Sequence, residues 1–190
     1  MICLSFFYCC ITKMSDVSLE DIEDVFRQHG VTTPEFTLNG LRTYARVVSV
    51  YDGDTMKCII PVFNTFFKFN VRLSGIDTCE MKSKKTEAKV LAIRARDRLI
   101  NLVTGGKTNI SMTEKTETKK DITNILENDV FLVWLHCLEL DKYGRTICNI
   151  YASPNSNVSF SDILIEEHLA YVYEGETKLS EEEQVKLLWK

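Results

Sequence analysis

The chain has 190 residues, 45% hydrophobic and 26% charged, which suits one sizeable core and is short for two. A net charge of −4 excludes a general cationic coat for nucleic acid, because counterion release needs a positive footprint facing the phosphates. The seven cysteines form no CxxC pair and no zinc spacing with His29, His136 or His168, so they signal neither a disulfide framework nor a zinc site. Their odd count suits a reducing compartment, with the cytoplasm as the expected location.

Met1 to Ile11 is apolar except for Ser5. It is too short to span a bilayer, which takes roughly 20 residues. It also lacks the positive start and small-residue cleavage site of a secretory signal. Met14, followed by Ser15-Asp16, reads as an alternative start, and no later segment is long and apolar enough to cross a membrane. Ser18 to Asp21 fits a capping box, and Leu19, Ile22, Val25 and Phe26 fall on one helical face before His29-Gly30. This predicts a short amphipathic helix within an N-terminal extension, residues 1–43. Packing on the domain is its expected role, with a protein partner as the alternative.

Alternation then predicts strands: Ala45 to Val50, a turn at Asp52-Gly53, Thr55 to Ile60, a break at Pro61, and Phe63 to Leu73. Thr86 to Val103 reads as a helix with Ala88, Leu91, Ala92, Ala95, Leu99, Leu102 and Val103 on one face and Gly105-Gly106 as its stop. Basic residues crowd Lys82 to Arg98 against only Glu87 and Asp97, so local nucleic-acid binding stays open despite the global charge. Further strands are predicted at Thr108 to Met112, Val130 to Leu140 and Thr146 to Tyr151, and a helix over Phe160 to His168. The polar stretch Thr113 to Asp129 reads as a surface insertion, helical around Ile122 to Leu126. Ser180 to Glu183 fits a second capping box, opening an acidic C-terminal helix in 175–190. With strand four counted once, as a pair separated by that insertion, three strands, a helix, two strands and a helix is the order of an α+β, mainly β, five-stranded OB-fold barrel with added helices, placed at 44–174.

Several residues carry chemistry. Asp52-Gly53 is by itself a hairpin dipeptide, but Asp54 begins the next strand and can point toward a ligand. A loop presenting Asp77, the Thr78 carbonyl and Glu80 can give a hard cation one carboxylate and one backbone oxygen, while Glu80 holds a water further out. Calcium tolerates such irregular oxygen geometry better than magnesium does. Taken singly, Arg72 reads as an outward strand residue and Asp141-Lys142-Tyr143-Gly144-Arg145 as a turn. Two guanidinium forks, however, match phosphate oxygens bidentately.

In this order, Asp52-Gly53-Asp54-Thr55, Arg72, Asp77-Thr78-Cys79-Glu80 and Asp141 to Arg145 closely resemble the staphylococcal nuclease-like (thermonuclease) family, over about Ala45 to Tyr173. The resemblance implies a metal-dependent nuclease, acting on DNA or RNA and leaving 3′-phosphate and 5′-hydroxyl ends. It implies metal ligands Asp54, Asp77 and the Thr78 carbonyl, a base or water-orienting group at Glu80, and phosphate clamps at Arg72 and Arg145. Calcium is the implied cofactor, with magnesium or another divalent cation as the alternative. Lys84 and Lys85 fall in the loop where the family has lysines near a substrate phosphate. Tyr171 and Tyr173 resemble its aromatic pair at the nucleotide, with core packing as the competing reading. Cys79 stands where the family usually has proline, which restores an N–H and frees φ. The rival reading is a non-catalytic OB-fold module binding nucleic acid or protein. A third is an interaction protein docking through its terminal helices. The sequence leaves oligomeric state open.

Overall fold

Alternating residues from Arg42 onward build a barrel in the computed structural model, which describes residues 18–107 and 119–189. Contacts divide the chain between Phe36 and Thr37. In the first unit, helix α1 (Leu19–Phe26) opens on Ser18, whose Oγ accepts the Asp21 N–H at 3.1 Å. The apolar run Met1 to Ile11 and the strand expected at Thr108 to Met112 lie outside the described residues.

In the second unit, strands β1 (Arg42–Val50), β2 (Thr55–Val62) and β3 (Thr65–Leu73) form a meander. Strands β5 (Leu132–Leu140) and β6 (Thr146–Tyr151) close it in the order β1-β2-β3-β6-β5, with β3 and β6 parallel. Inward side chains such as Val47, Met56, Ile60, Val71, Leu135 and Ile150 fill the interior, as period-two alternation requires. The expected break at Pro61 does not occur. β2 runs on to Val62, and the reversal comes at Phe63-Asn64, both at positive φ (52° and 60°). The β1–β2 pairing ends at Ile59, so Pro61 has a strand neighbour only in β3, an edge position that tolerates a missing N–H.

Helix α2 (Thr86–Thr104) lays Leu91, Ala92, Ala95 and Leu99 against the body. It ends as its glycines predict: Gly105 and Gly106 take positive φ, and the Gly106 N–H reaches the Asn101 carbonyl at 2.9 Å. The supposed surface insertion is described from residue 119 on, and there it is helix α3 (Lys119–Asn128), with Ile122 and Leu126 buried in the barrel core. Its apolar pair is part of the fold, not decoration. Helix α4 (Phe160–Glu166) starts from a Ser159–Asp162 capping box and is shorter than expected, because His168 turns to positive φ.

A two-stranded ribbon, β4 (Ile76–Asp77) with β7 (Tyr171–Val172), pairs Asp77 directly with Tyr171. Helix α5 (Glu181–Leu188) carries the predicted Ser180–Glu183 capping box. Its Leu188 is buried in a second apolar cluster with Cys79, Ala88, Leu91, Ala92 and Tyr171. The C-terminal helix therefore packs Leu188 and Val185 within its own unit, while Leu187 and Trp189 stay about half exposed. Among the described residues, no helix is long and apolar enough to cross a membrane.

Candidate active site

Three short segments converge on one open cleft of about 1220 Å³: the turn before β2, the loop after β4, and the β5–β6 hairpin. Each is placed for a local reason. Asp54 precedes β2 and its carbonyl accepts the Leu73 N–H at 2.8 Å, which ties the turn to the end of β3. Gly53 is required by space: a Cβ there would lie 2.6 Å from Ala95 Cβ and 2.9 Å from Thr78 Cγ2. The loop after β4 is anchored by Cys79, buried among Leu91, Ala92 and Leu188. Asp141 Oδ1 accepts the Tyr143 and Arg145 N–H groups at 2.8 and 2.9 Å, and Gly144 takes φ 77°, which makes the hairpin tip.

Arg72 departs from the reading of an outward strand residue, being only 9% exposed. Its Nη1 meets Asp54 Oδ2 at 2.7 Å, and its Nη2 meets Asp77 Oδ1 at 2.8 Å and the Ile76 carbonyl at 3.0 Å. One guanidinium thus bridges both carboxylates of the expected ligand set. Burial, then the neighbouring Asp52 carboxylate, pushes Asp54 up to about 7, and Arg72 only partly offsets them. Burial would also raise Asp77, but donors from Lys178, Arg72 and Tyr171 outweigh it and hold Asp77 below the usual carboxylate range.

Arg145 Nε donates to Asp141 Oδ2 at 2.6 Å and Nη1 to Thr55 Oγ1 at 3.1 Å. Thr55 in turn donates to Asp54 Oδ1 at 2.7 Å, so a hydroxyl couples the hairpin arginine to the buried carboxylate. Arg145 lines the cleft, and its Nη2 has no protein partner among the described residues. Glu80 also lines the cleft, with its side chain 60% exposed.

Other expected residues sit elsewhere. Tyr171 is buried, and its hydroxyl donates to Asp77 Oδ2 at 2.7 Å, so the core-packing reading holds and the ring offers no stacking face. Tyr173 lines the cleft and donates to the Glu176 carbonyl at 2.9 Å. Lys85 bonds to Glu182 of α5, Lys84 is exposed, and neither lines the cleft. Two of the four basic residues of α2 are paired with acids: Arg96 with Asp97, and Arg98 with Glu167 through two bonds of 2.7 and 2.6 Å. Lys89 and Arg94 remain as an exposed face.

Two participants went unread in the sequence. Lys178 Nζ lies 2.9 Å from Asp77 Oδ1 and 3.3 Å from Glu80 Oε1, an ammonium set against the expected metal site. Its signal was available, since Lys178 is the one basic residue between Glu174 and Glu183. Thr55 lies inside the quoted motif, but nothing local shows that its hydroxyl would span Asp54 and Arg145.

The donor set suits a hard cation. Asp54, Asp77 and the Thr78 carbonyl offer only oxygen, and the site gathers enough negative charge to draw both a guanidinium and an ammonium. Cys79 is no ligand here, its thiol pushed up to about 11 by burial. Among the described residues, no group of three or more histidine, cysteine, aspartate or glutamate side chains is arranged to hold a metal. A cation must therefore draw on backbone oxygen and water as well.

A closed five-stranded barrel, mainly β with helices added, defines an OB-fold protein in class. The chain belongs to the staphylococcal nuclease homologue family, whose model matches residues 70–189. Arg72, Asp77, Thr78, Glu80 and Arg145 fall inside that match, and Asp54 lies before it. Compared with curated proteins, the chain matches none.

Proposed function

We propose that the protein is a metal-dependent nuclease that hydrolyses phosphodiester bonds of DNA or RNA, with calcium as the working cation. The observation that carries this reading is that Asp54, Arg72, Glu80 and Arg145 line one cleft, with Asp77 buried beside them and held by Arg72 at 2.8 Å. Asp54, Asp77 and the Thr78 carbonyl would hold the cation, which when bound supplies Lewis-acid stabilisation of a phosphoryl oxygen. Arg145 binds the phosphate, its guanidinium held in plane by Asp141 and Thr55 so that the fork is aimed before substrate arrives. Arg72 holds the two carboxylates together and carries positive charge beside them, where charge builds on the phosphoryl oxygens. Glu80, exposed at the cleft, takes the proton of the attacking water. The product ends expected from the family are 3′-phosphate and 5′-hydroxyl.

The test is cleavage of single-stranded and duplex DNA and RNA in calcium, magnesium or excess chelator, with Glu80→Gln in parallel. Cleavage should vanish in chelator and be faster in calcium than in magnesium. Glu80→Gln should lose roughly 10²–10⁴ in turnover while still binding substrate. Full activity in chelator overturns the metal assignment. Near-normal turnover in Glu80→Gln moves the protein toward the non-catalytic binding module.

A further inference from the structure

We propose that Cys137 and Cys148, inside the barrel, are a dithiol that a hydroperoxide converts reversibly to a disulfide, locking the hairpin that forms one wall of the cleft. The inference stands apart from the nuclease reading, because its observations are strand register, sulfur geometry and the course of the hairpin. Spacing along the chain gives no sign of the pair, since the two cysteines are 11 residues apart and share no motif. Barrel closure sets them face to face. Cys137 of β5 is the register partner of Cys148 of β6, and the two sulfurs lie 3.7 Å apart.

The pairing is of the kind that admits a cross-link. The Cys137 N–H goes to the Leu41 carbonyl and the Cys137 carbonyl accepts the Gly40 N–H, both at 2.9 Å, so its ladder bonds face the β1 side and not β6. Facing residues without mutual backbone bonds stand closest in an antiparallel pair, about 4.5 Å between Cα atoms, inside the roughly 4.4–6.8 Å that a disulfide spans. Closing the sulfurs to about 2.05 Å therefore takes side-chain rotation and no new backbone course. Cys58, the third buried thiol of the barrel core, comes from β2, which pairs with β1 and β3 and with neither β5 nor β6. Burial pushes its thiol up.

The register of β5 and β6 slips between Cys137 and Leu140, so the pair is the last regular rung before the tip. Leu138 and Ile147, the next residue toward the tip on each strand, line the cleft, and Asp141 and Arg145 lie inside the ring that a Cys137–Cys148 bond closes. Both thiols are buried, so the reaction is gated by local opening of this slipped end of the hairpin. Cys148 donates its S–H to Cys137, which holds the Cys137 thiol below its ordinary range and makes it the attacking sulfur. The Cys137 thiolate takes one peroxide oxygen: an S–O bond forms, the O–O bond breaks, and the leaving hydroxide departs as water with the proton Cys137 gave up. The Cys148 sulfur then attacks the sulfenic sulfur. An S–S bond forms, the S–O bond breaks, and the oxygen leaves as a second water with the Cys148 proton. Both sulfurs are oxidised and one peroxide is reduced, and a thiol reductant reverses the step by exchange.

The test is hydrogen peroxide treatment of the native full chain, then alkylation of the remaining thiols and peptide mapping without reductant. The wild type should give two peptides joined through Cys137 and Cys148, lighter than their sum by two hydrogens, and should regain both thiols in dithiothreitol. The oxidised protein should melt about 6–12 °C higher, and amide exchange over residues 138–147 should slow. Cys58→Ala should still form the bridge, whereas Cys148→Ala should leave Cys137 unbridged. Where Cys148→Ala does not fold, the wild-type map decides alone. Bridges elsewhere with Cys137 and Cys148 both still alkylated overturn the pair, as does oxygen added at Cys137 without a bridge, or a bridge that forms only once the chain is unfolded in urea. A bridge that leaves exchange over residues 138–147 unchanged overturns the lock.

Discussion

Asp54 and Lys178 show how charge is balanced at the level of single side chains. The pKa of Asp54 is raised toward 7, so its folded form holds a proton that the unfolded chain releases near the ordinary carboxylate value. Its favourable contribution is complete at acid pH and is lost as pH rises through about 7. Asp54→Asn, neutral throughout, should raise the Tm of the cation-free protein at pH 8 and by progressively less toward pH 4, as read by thermal denaturation in chelator. An unchanged Tm difference across that window would show that Asp54 does not titrate there. Lys178 is a tethered cation that an incoming metal must move off Asp77. Because its side chain is 46% exposed, screening limits the pair's worth. Lys178→Gln should therefore tighten calcium binding only roughly two- to fivefold by calorimetry. Weaker binding in that variant would make Lys178 a support of the site instead of a competitor.

At the scale of elements, the site depends on a close approach of three segments that share no strand. Gly53 lets the turn before β2 sit against both α2 and the loop after β4, although its sequence context reads as an ordinary hairpin turn. In Gly53→Ala either Ala95 or Thr78 must give way, at a cost of about 1–3 kcal/mol from overpacking. The displaced Thr78 carbonyl should cost up to about 10²-fold in turnover, since misplacement near 1 Å has that effect. Stopped assays beside urea unfolding separate the two: turnover that falls only in proportion to the unfolded fraction would remove Gly53 from the positioning of the loop.

Across the whole molecule, the C-terminal segment closes the architecture. Tyr171 fixes Asp77 from behind, Lys178 meets it from the front, and Leu188 locks α5 onto α2 beneath the Cys79 loop. Leu188→Ala should lower unfolding free energy by about 2–5 kcal/mol, the range for truncating a buried leucine. Urea denaturation measures it, and a loss near zero would mean that α5 frays without consequence for the domain. The family match, which runs to residue 189, includes this helix.

Much of this was legible locally. The alternation of β1 to β3, the N-cap at Ser18, the capping box at Ser180, the Gly105-Gly106 stop and the Asp141 to Arg145 tip each depend on contacts within a few residues, which composition and spacing report directly. The inventory of Asp54, Arg72, Asp77, Glu80 and Arg145 was likewise readable, because the chemistry of phosphate and hard cations restricts which side chains can serve. Tertiary structure alone decided what those groups touch. Tyr171 reaches Asp77 across a separation of 94 residues and Lys178 reaches Glu80 across 98. It also buried Ile122 and Leu126 of a polar stretch in the core and turned Arg72 inward onto two carboxylates. Periodicity states which face of a strand or helix is apolar; barrel closure states which faces meet, and that depends on pairings no local pattern records.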